Sequence, residues 1–395
     1  MRKLRILQVI KSMSKGGAER YAADLTKALT EAGHETKLVS FSEENEYVNL
    51  TSEIDFCICK SVVQPSISGK SIVQIDEYRT LVKKFNPDVI HSHLFKSEMI
   101  SREYIHPNTV YISTCQNNME ELDTFSISDA FSKRKFTNLY EKNWMLKRYK
   151  ACNNHFIAIS RHTEAYYKKV LPSYLNNRIR MIHHAIDFRK FNVYQHDRSQ
   201  DLDEIKLIYV ARFAPYKNHR FLIHILEALQ NRTNKSVKLE FVGSGVEEDN
   251  VRHLAEEKGL SDSVIFSGLV SDVEMRLKEA NFYIHPATYE PFGLVIIEAM
   301  ATGLPVIALN GKGNRDIIEH GVNGYMFDEE NAKLFANQII ELSESSALYK
   351  TISQNAINYA AGFDMVIHVQ RVLDYYHEII NVRERKTPLT SSSQY

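Results

Sequence analysis

The sequence lacks an excess of charge of either sign, since 49 Lys and Arg residues balance 49 Asp and Glu residues. A general nucleic-acid-binding role needs a basic surplus for the phosphate backbone, so we expect no nucleic-acid partner. Long apolar runs are also lacking, because none approaches the roughly 20 residues that span a bilayer. The first apolar stretch, Leu4–Ile10, contains Arg5 and Gln8, which indicates a β-strand rather than a signal-peptide core. We therefore expect a cytoplasmic protein.

Cysteine is scarce, and Cys57, Cys59, Cys115 and Cys152 show no metal-ligand spacing. We interpret all four as reduced thiols, as in a cytosolic protein. Cys57 and Cys59 are two residues apart and would share one face of a strand, where a disulfide seldom forms. We expect no metal site and no bound cofactor.

The chain exceeds the size at which a single hydrophobic core usually stops growing, which predicts two domains. Short apolar runs alternate with helical patterns, as in parallel sheets with right-handed crossovers. A polar stretch without hydrophobic periodicity, Tyr194–Glu204, is the predicted linker. The predicted fold class is α/β, with two doubly wound, Rossmann-like parallel-sheet domains facing a central cleft.

The predicted domains are residues 1–198 and 199–364. An amphipathic stretch at about 365–385 is expected to form a helix that packs back onto the first domain, and residues 386–395 are expected to be disordered. The predicted strands lie in LRILQVI, TKLVSF, DVIHSH, TVYIST and HFIAIS of the first domain and in KLIYVAR, VKLEFVG, VIFSG, FYIHP, PVIAL and GYMF of the second.

The first candidate ligand motif is KGGAER, which follows the first predicted strand and opens a helix. Gly16 and Gly17 have no Cβ atoms, so the backbone can approach a ligand closely. The amides at a helix N-terminus favour an anion. The alternative is a tight turn that needs glycine.

The second motif is ARFAPYKN, after the first strand of the second domain. Arg212 and Lys217 lie on either side of a turn that contains Pro215. Two cations at the carboxyl end of a strand suit a diphosphate leaving group, whose charge must be neutralised. The alternative is two solvated surface cations.

The third and strongest motif is HPATYEPFGLVIIEAMATGLPVIA, which reads as strand, loop and helix. The amides of Phe292, Gly293 and Leu294 would point out of the helix start and receive phosphate or sugar oxygens. Glu298, inside the helix, can accept two hydrogen bonds from a ribose diol, and Glu290, in the loop, can reach sugar hydroxyls. The alternative is that the acidic residues only complement the helix dipole.

These segments, in this order, resemble the retaining glycosyltransferases of the GT-B fold in the broad family four, together with VGSG (Val242–Gly245) and HGVNGYMF. The resemblance covers about residues 4–380. It implies a GT-B architecture and transfer of a sugar from a nucleotide-diphosphate donor, with a UDP-sugar favoured, to a glycan or lipid-linked acceptor. It also implies a retaining hexosyl- or N-acetylhexosaminyl-transferase of surface-polysaccharide type. Because no metal-ligand cluster appears in the sequence, we expect no obligate metal.

The resemblance also implies residue roles. Glu290, Arg212 and Lys217 would be catalytic, with the two cations holding the donor diphosphate. Donor-binding residues would be Glu298 at the ribose, Gly16, Gly17, Phe292, Gly293 and Leu294 at the phosphates and sugar, and Val270 beside the base.

One departure from the family pattern concerns the acceptor side. Family members often carry a histidine after the strand that matches TVYIST, whereas this sequence has Gln116, followed by Asn117. Glutamine can hydrogen-bond a sugar hydroxyl but cannot titrate. His91 and His93 share one face at a neighbouring strand end, where they could line the acceptor side or serve as structural histidines.

A basic, aromatic stretch at residues 131–150 contains seven Lys or Arg residues and one Glu. Phe136, Tyr140 and Trp144 recur every four residues and would share one helical face. Such a helix could contact the inner face of an anionic membrane or a lipid-linked acceptor. The alternative is an ordinary crossover helix with its aromatic side chains in the core.

Two competing functions remain open from the sequence. One is a nucleotide-sugar epimerase with the same fold, and the other is a non-catalytic partner that binds sugar or stabilises another transferase. Arg212, Lys217, Glu290 and Glu298 are all present, which argues against a non-catalytic partner.

Overall fold

The computed structural model describes residues 2–65, 70–123, 132–192 and 204–386. The chain divides into two compact units, residues 1–183 with 365–395 and residues 184–364. Most of the predicted linker, Tyr194–Glu204, and the predicted tail lie outside the described residues. In the described ranges, no helix is both long enough and apolar enough to cross a membrane.

The first unit is built on a seven-stranded sheet in the order β3-β2-β1-β6-β7-β8-β9, in which every pair is parallel. Two further short strands, β4 and β5, form a separate antiparallel pair. The strands are β1 Arg5–Ile10, β2 Glu35–Ser40, β3 Phe56–Ile58, β4 Val62–Gln64, β5 Ile72–Gln74, β6 Val89–His93, β7 Val110–Cys115, β8 His155–Ala158 and β9 Ile179–Met181.

Helices cover this sheet. They are α1 Gly17–Glu31, α2 Val48–Thr51, α3 Asp76–Phe85, α4 Phe95–Ser101, α5 Lys133–Cys152, α6 Arg161–Val170 and, from the far end of the chain, α14 Met365–Lys386. The central strands are buried on both faces, which is why they read in the sequence as nearly continuous apolar runs. All four cysteines are free thiols.

The second unit has a six-stranded parallel sheet in the order β12-β11-β10-β13-β14-β15. Its strands are β10 Glu204–Val210, β11 Ser236–Val242, β12 Val264–Gly268, β13 Phe282–His285, β14 Val306–Leu309 and β15 Tyr325–Phe327. Its helices are α7 Phe188–Asn192, α8 His219–Gln230, α9 Glu248–Glu257, α10 Val273–Glu279, α11 Leu294–Ala301, α12 Ala332–Glu344 and α13 Ser346–Ala360.

Each apolar segment predicted to be a strand contains one, and the doubly wound α/β prediction is confirmed. The strands that the sequence patterns did not reveal, β4, β5 and β9, have three residues each. They carry no fully buried run, and β5 is exposed throughout. Short exposed strands lack the apolar periodicity on which such predictions rest.

Candidate active site

The second sheet changes direction between β10 and β13. These strands are neighbours, with β11 and β12 on one side and β14 and β15 on the other. The loops that leave the carboxyl ends of such a pair diverge and form a crevice, which is where open α/β sheets bind ligands. Arg212 and Lys217 follow β10, and Glu290 follows β13. The strand order therefore brings the predicted catalytic residues to one place.

A buried ion pair joins the two loops. Lys217 Nζ lies 2.7 Å from Glu290 Oε2, and the two side chains are only 17% and 12% exposed. Burial alone would raise the pKa of Glu290, but the positive charge of Lys217 and the contact with His285 outweigh it and hold that pKa well below its usual range. Glu290 is therefore a carboxylate at neutral pH and accepts a hydrogen bond from Lys217.

The Glu290 loop is fixed by the loop after β14. The amide of Glu290 donates to the carbonyl of Gly311 at 2.7 Å, and the amide of Gly313 donates to the carbonyl of Glu290 at 2.9 Å. A Cβ atom at Gly313 would lie 1.9 Å from the carbonyl oxygen of Pro291. Only glycine allows the two backbones to come this close. The role of Gly313 in this close approach was not predicted, although the segment Asn310–Asn314 follows a predicted strand and contains two glycines.

The helix that follows Glu290 starts next to Gly293, as predicted, beyond the carboxyl end of β13. Gly293 has a φ of +110° and precedes α11, a conformation that side chains other than glycine rarely adopt. Phe292 is buried, and its ring makes an edge contact with His184 at 6.1 Å and a tilted contact with Phe363 at 5.9 Å. Its side chain thus anchors the loop, while the amides of Gly293 and Leu294 make no backbone hydrogen bond within the described residues.

The two predicted glutamates act electrostatically on one buried tyrosine of β13. Glu298 is the fifth residue of α11 and only 2% exposed. The pKa of the Tyr283 phenol is raised, first by burial and then by the negative charges of Glu290 and Glu298. The loop after β13 and the helix α11 therefore each direct one negative charge at the same phenol.

Arg212 contacts the Lys217 and Glu290 loops through Tyr216, whereas Val270 follows a strand two positions away from β10 in the sheet. Arg212 is exposed, and its Nη2 atom donates to the Tyr216 hydroxyl at 3.1 Å. Lys217 Nζ lies 5.6 Å from the centre of the same tyrosine ring, so Tyr216 links the two cations. Val270 is half-buried and follows β12, the strand at one end of the sheet order.

His285, the last residue of β13, is a further member of the cluster that sequence reasoning missed. It is 2% exposed, and its Nε2 atom lies 3.3 Å from Glu290 Oε2. The only signal in the sequence was a polar residue at the end of an apolar strand, FYIHP. A histidine in that position was not distinguishable from a structural one.

In the first unit, the predicted glycine loop already has partners for two of its amides. The amide of Lys15 donates to Glu46 Oε2 at 2.6 Å, and the amide of Gly16 donates to the Tyr47 hydroxyl at 3.2 Å. Gly17 is the first residue of α1. A phosphate that approached this loop would meet the Glu46 carboxylate, so anion binding here requires that this side chain move.

His91 and His93 are fully buried and hydrogen-bonded inside the first unit. His91 Nδ1 lies 2.6 Å from the Tyr376 hydroxyl on α14, and its Nε2 lies 2.6 Å from the Thr114 hydroxyl. His93 Nε2 lies 2.8 Å from Gln8 Oε1. The His91 ring therefore connects β6 to β7 and to the C-terminal helix, and the His93 ring connects β6 to β1.

Gln116 is the point at which this interior network approaches the surface. Its Nε2 atom lies 3.3 Å from His93 Nδ1, and the residue is 8% exposed. Because Gln116 donates to Nδ1, His93 carries its hydrogen on Nε2 and donates to Gln8. Asn117, the next residue, is exposed. Of the four predicted acceptor-side residues, Gln116 and Asn117 are thus the ones with exposed atoms.

Comparison with known proteins identifies the family. The model for Glycosyltransferase Family 4 matches residues 15–190, and the model for Glycosyl transferases group 1 matches residues 193–359. The two matches follow one another along the chain, with the boundary between them close to the predicted linker. The chain belongs to the family-four glycosyltransferases of the GT-B type, which confirms the family and the fold that its motifs indicated.

Two relatives from Staphylococcus aureus illustrate the range of similarity. CapH, a capsular polysaccharide biosynthesis glycosyltransferase, is 24% identical over 387 residues, covering 94% of this chain and 98% of its own. Poly(ribitol-phosphate) alpha-N-acetylglucosaminyltransferase of strain COL is 30% identical over 141 residues, which is 35% of this chain and 28% of its own. The chain spans less than half the length of three further curated relatives that it matches, at 45%, 44% and 31%.

Solved structures share the fold. HepE of Anabaena in complex with UDP has a TM-score of 0.76 at 21% identity and covers 95% of this chain and 100% of its own. Sucrose-phosphate synthase of Thermosynechococcus elongatus has a TM-score of 0.74 at 21% identity and covers 96% of this chain and 100% of its own. At these identities the likeness shows the GT-B fold and nothing about substrates.

The neutral histidines of the first unit predict an acid-sensitive fold. Burial lowers the pKa of His93 to about 3 and that of His368 to about 4, below the ordinary 6.5 of the unfolded chain. The unfolded state then binds more protons between these values. The free energy of unfolding should therefore be fully present above pH ~6.5 and fall as the pH drops toward ~4, by up to about 1.4 kcal/mol per pH unit for each histidine.

Urea unfolding between pH 4.5 and 7 measures this slope. His93→Gln, which keeps a donor near the Nε2 position, should make the slope shallower. His224→Gln, at an exposed position on α8, should leave it unchanged. An identical slope for wild type and His93→Gln would show that His93 is not the titrating group.

Gly313→Ala should destabilise the second unit, because the added Cβ atom would collide with the Pro291 carbonyl and push the two loops apart. Overpacking of this kind costs about 1–3 kcal/mol. Thermal denaturation of the variant measures the loss. Gly362→Ala is the matched control, since nothing lies within 4 Å of its Cβ position. Equal losses for the two variants would contradict the close approach of the loops.

Proposed function

We propose that the protein transfers a sugar from a nucleotide-diphosphate donor to a glycan or lipid-linked acceptor, with retention of the anomeric configuration. The observation that carries this proposal is the buried Lys217–Glu290 pair beside the start of α11, at the point where the strand order reverses. This arrangement supplies a cation for the phosphates and a carboxylate for sugar hydroxyls within hydrogen-bonding distance of each other.

In the proposed reaction, the bond between the anomeric carbon and the β-phosphate oxygen breaks, and a bond to the acceptor oxygen forms on the same face of the sugar. Negative charge builds on the departing diphosphate, where Arg212, Lys217 and the amides at the start of α11 stabilise it. The acceptor hydroxyl gives its proton to the departing phosphate oxygen. Glu290 binds the donor sugar, and Glu298 accepts hydrogen bonds from the ribose. Catalysis then rests on positioning and electrostatics.

A UDP-sugar is the favoured donor, and a hexose or N-acetylhexosamine is the favoured sugar. HepE, which has the same fold, is described in complexes with UDP and with UDP-glucose. Two relatives are named as an alpha-glucosyltransferase and an alpha-N-acetylglucosaminyltransferase of polyol-phosphate polymers. An α-linked nucleotide sugar gives such products with retention, and CapH supports an acceptor in surface-polysaccharide assembly. We propose a cytoplasmic location, and no obligate metal, since the protein's own cations can neutralise the diphosphate.

A thermal-shift panel of UDP-, GDP- and ADP-sugars identifies the donor, because stabilisation grows with ligand concentration relative to the dissociation constant. Release of the nucleotide diphosphate in the presence of glycan or lipid-linked acceptors then measures transfer. Lys217→Ala should lower this rate by roughly 100- to 1000-fold, because it removes a charge that stabilises the leaving group. Glu290→Ala should lower it as well, through loss of the sugar contact.

Lys333→Ala, at an exposed position on α12, is the control and should retain the wild-type rate. The wild-type rate should also persist in EDTA. Wild-type rates in both Lys217→Ala and Glu290→Ala would contradict the proposal. An epimerised donor without a new glycoside would indicate an epimerase, and donor binding without any product would indicate a non-catalytic partner.

We also propose that α5 makes peripheral contact with the inner face of a membrane. Its Lys147 and Lys150 are exposed, and Phe136 is 46% exposed near its first turn. The alternative, in which all three aromatic side chains of α5 pack in the core, is not what the structure shows. The helix instead buries Glu141, Met145 and Tyr149.

Trp144 does not belong to an open aromatic face either. Its Nε1 atom donates to Glu103 Oε1 at 2.6 Å, and the Arg148 guanidinium lies 4.2 Å from the ring centre. Membrane contact would therefore involve Phe136 and the exposed lysines, with Trp144 held within the protein.

Co-sedimentation with anionic liposomes at low salt tests this contact. Wild-type protein should bind phosphatidylglycerol vesicles and not phosphatidylcholine vesicles, since the attraction is electrostatic. Phe136→Ala with Lys147→Glu should abolish binding, whereas Lys333→Glu, on the other unit, should not. Absence of wild-type binding at low salt would contradict the proposal.

A further inference from the structure

His285 places a polar ring in the interior of the second unit. The residue is 2% exposed, and its ring makes an edge contact with Tyr209 at 5.6 Å and lies 6.0 Å from the ring of Tyr283. Burying a polar group is unfavourable unless its hydrogen-bonding atoms have partners. The positions of the two ring nitrogens therefore indicate what the residue does.

The two nitrogens have different neighbours. Nδ1 lies 3.3 Å from the Tyr283 hydroxyl. An unprotonated Nε2 would direct its lone pair at the Glu290 carboxylate, so the neutral ring carries its hydrogen on Nε2, and Nδ1 accepts from the Tyr283 hydroxyl. Nε2 lies 3.3 Å from Glu290 Oε2 but is not aligned for a hydrogen bond with it. The buried Nε2–H group of His285 thus lies close to the Glu290 carboxylate without forming an aligned hydrogen bond to it.

Glu290 Oε2 is shared, because Lys217 Nζ lies 2.7 Å from the same oxygen. The other carboxylate oxygen, Oε1, has no hydrogen bond from the residues that the structure describes. Lys217 is therefore the main partner of Glu290 in this state, and His285 is the second. Lysine has a flexible stem and a point charge, so it can turn to a phosphate that arrives nearby.

A turn of Lys217 toward a phosphate would leave the Glu290 carboxylate buried and without its cation. An uncompensated buried charge is strongly unfavourable. Within the described residues, the ion-pair contacts of Glu290 are with Lys217 and His285, so His285 is the group that can replace the lysine. A small rotation of the carboxylate would align it with the Nε2–H group.

We propose that His285 is a positioning residue that holds the Glu290 carboxylate when Lys217 engages the donor diphosphate. The inference rests on the proposed function, in which Glu290 binds the donor sugar. His285 touches neither the sugar nor the phosphates. It keeps Glu290 Oε2 in place, so that Oε1 faces the sugar hydroxyls while the lysine is occupied.

Three substitutions separate the Nε2–H group from the bulk of the ring. His285→Gln places an amide N–H near the Nε2 position, His285→Asn places one near Nδ1, and His285→Leu places none. His219→Leu is the control, because it removes another buried histidine from the same unit. Calorimetry measures the affinity for the best nucleotide sugar of the panel and for its free nucleotide diphosphate, and turnover gives kcat and KM.

The free nucleotide diphosphate draws Lys217 away from Glu290 and offers no sugar hydroxyls, so it should bind His285→Leu and His285→Asn several-fold more weakly than the wild type. The nucleotide sugar should also bind these two variants more weakly, and their kcat should fall by roughly 100-fold, as for a misplaced reacting group. His285→Gln should retain most of both. His219→Leu should lower the melting temperature without a selective loss of sugar affinity.

Wild-type kcat and sugar affinity in His285→Leu would overturn the proposal and leave the proposed function intact. Equal losses in His285→Gln and His285→Leu would assign His285 to packing and also overturn it. Unchanged affinity of His285→Leu for the free nucleotide diphosphate would show that His285 does not replace Lys217, and would overturn it as well. Lack of nucleotide-sugar binding and turnover in the wild type would overturn the proposed function instead.

A stability cycle tests the same role without any ligand. Lys217→Met removes the cation permanently, so Glu290 should then depend on His285. His285→Leu should lower the melting temperature more in the Lys217→Met background than in the wild type, and His285→Gln should not. If the losses in melting temperature from His285→Leu and Lys217→Met were additive, His285 would not be the group that replaces Lys217 at Glu290. This outcome does not depend on the protein's reaction.

Discussion

The buried contact between Lys217 and Glu290 is the interaction on which the rest of the site depends. A carboxylate that is 12% exposed remains ionised because a cation lies 2.7 Å away, with a further contribution from His285. The two side chains come from loops after β10 and β13, so their meeting requires that these strands be neighbours. It also requires that the Glu290 loop be fixed, which the glycine-dependent approach of Gly313 to Pro291 achieves.

Much of this arrangement could be predicted from the sequence, because its parts are local. Parallel strands buried on both faces read as apolar runs, and the loops after them carry the motif residues in fixed order. Glu290, Gly293 and Glu298 belong to one strand–loop–helix segment, so their relative positions follow from the helix geometry. Arg212 and Lys217 are in another such segment, and the reversal of strand order brings the two segments together.

The contacts that escaped prediction are those between distant parts of the chain or those without a local pattern. Tyr376 and His91 are far apart in sequence, and no sequence pattern near either residue predicts their hydrogen bond. The Glu46 carboxylate on the Lys15 amide likewise joins two loops by tertiary packing. His285 was hidden for another reason: a histidine at the end of an apolar strand has the same sequence pattern whether its ring is structural or faces a carboxylate.

The preformed ion pair also bears on how such a site would discriminate between ligands. A phosphate must compete with Glu290 for Lys217, and breaking a buried pair leaves a charge without its partner. A ligand with phosphates alone meets this cost without compensation, unless another group holds the carboxylate. A ligand that also brings sugar hydroxyls can donate hydrogen bonds to Glu290 and recover part of the loss. Under the proposed function, the Lys217–Glu290 contact favours a nucleotide sugar over simple anions, and the strength of that preference is set by how well Glu290 stays in place.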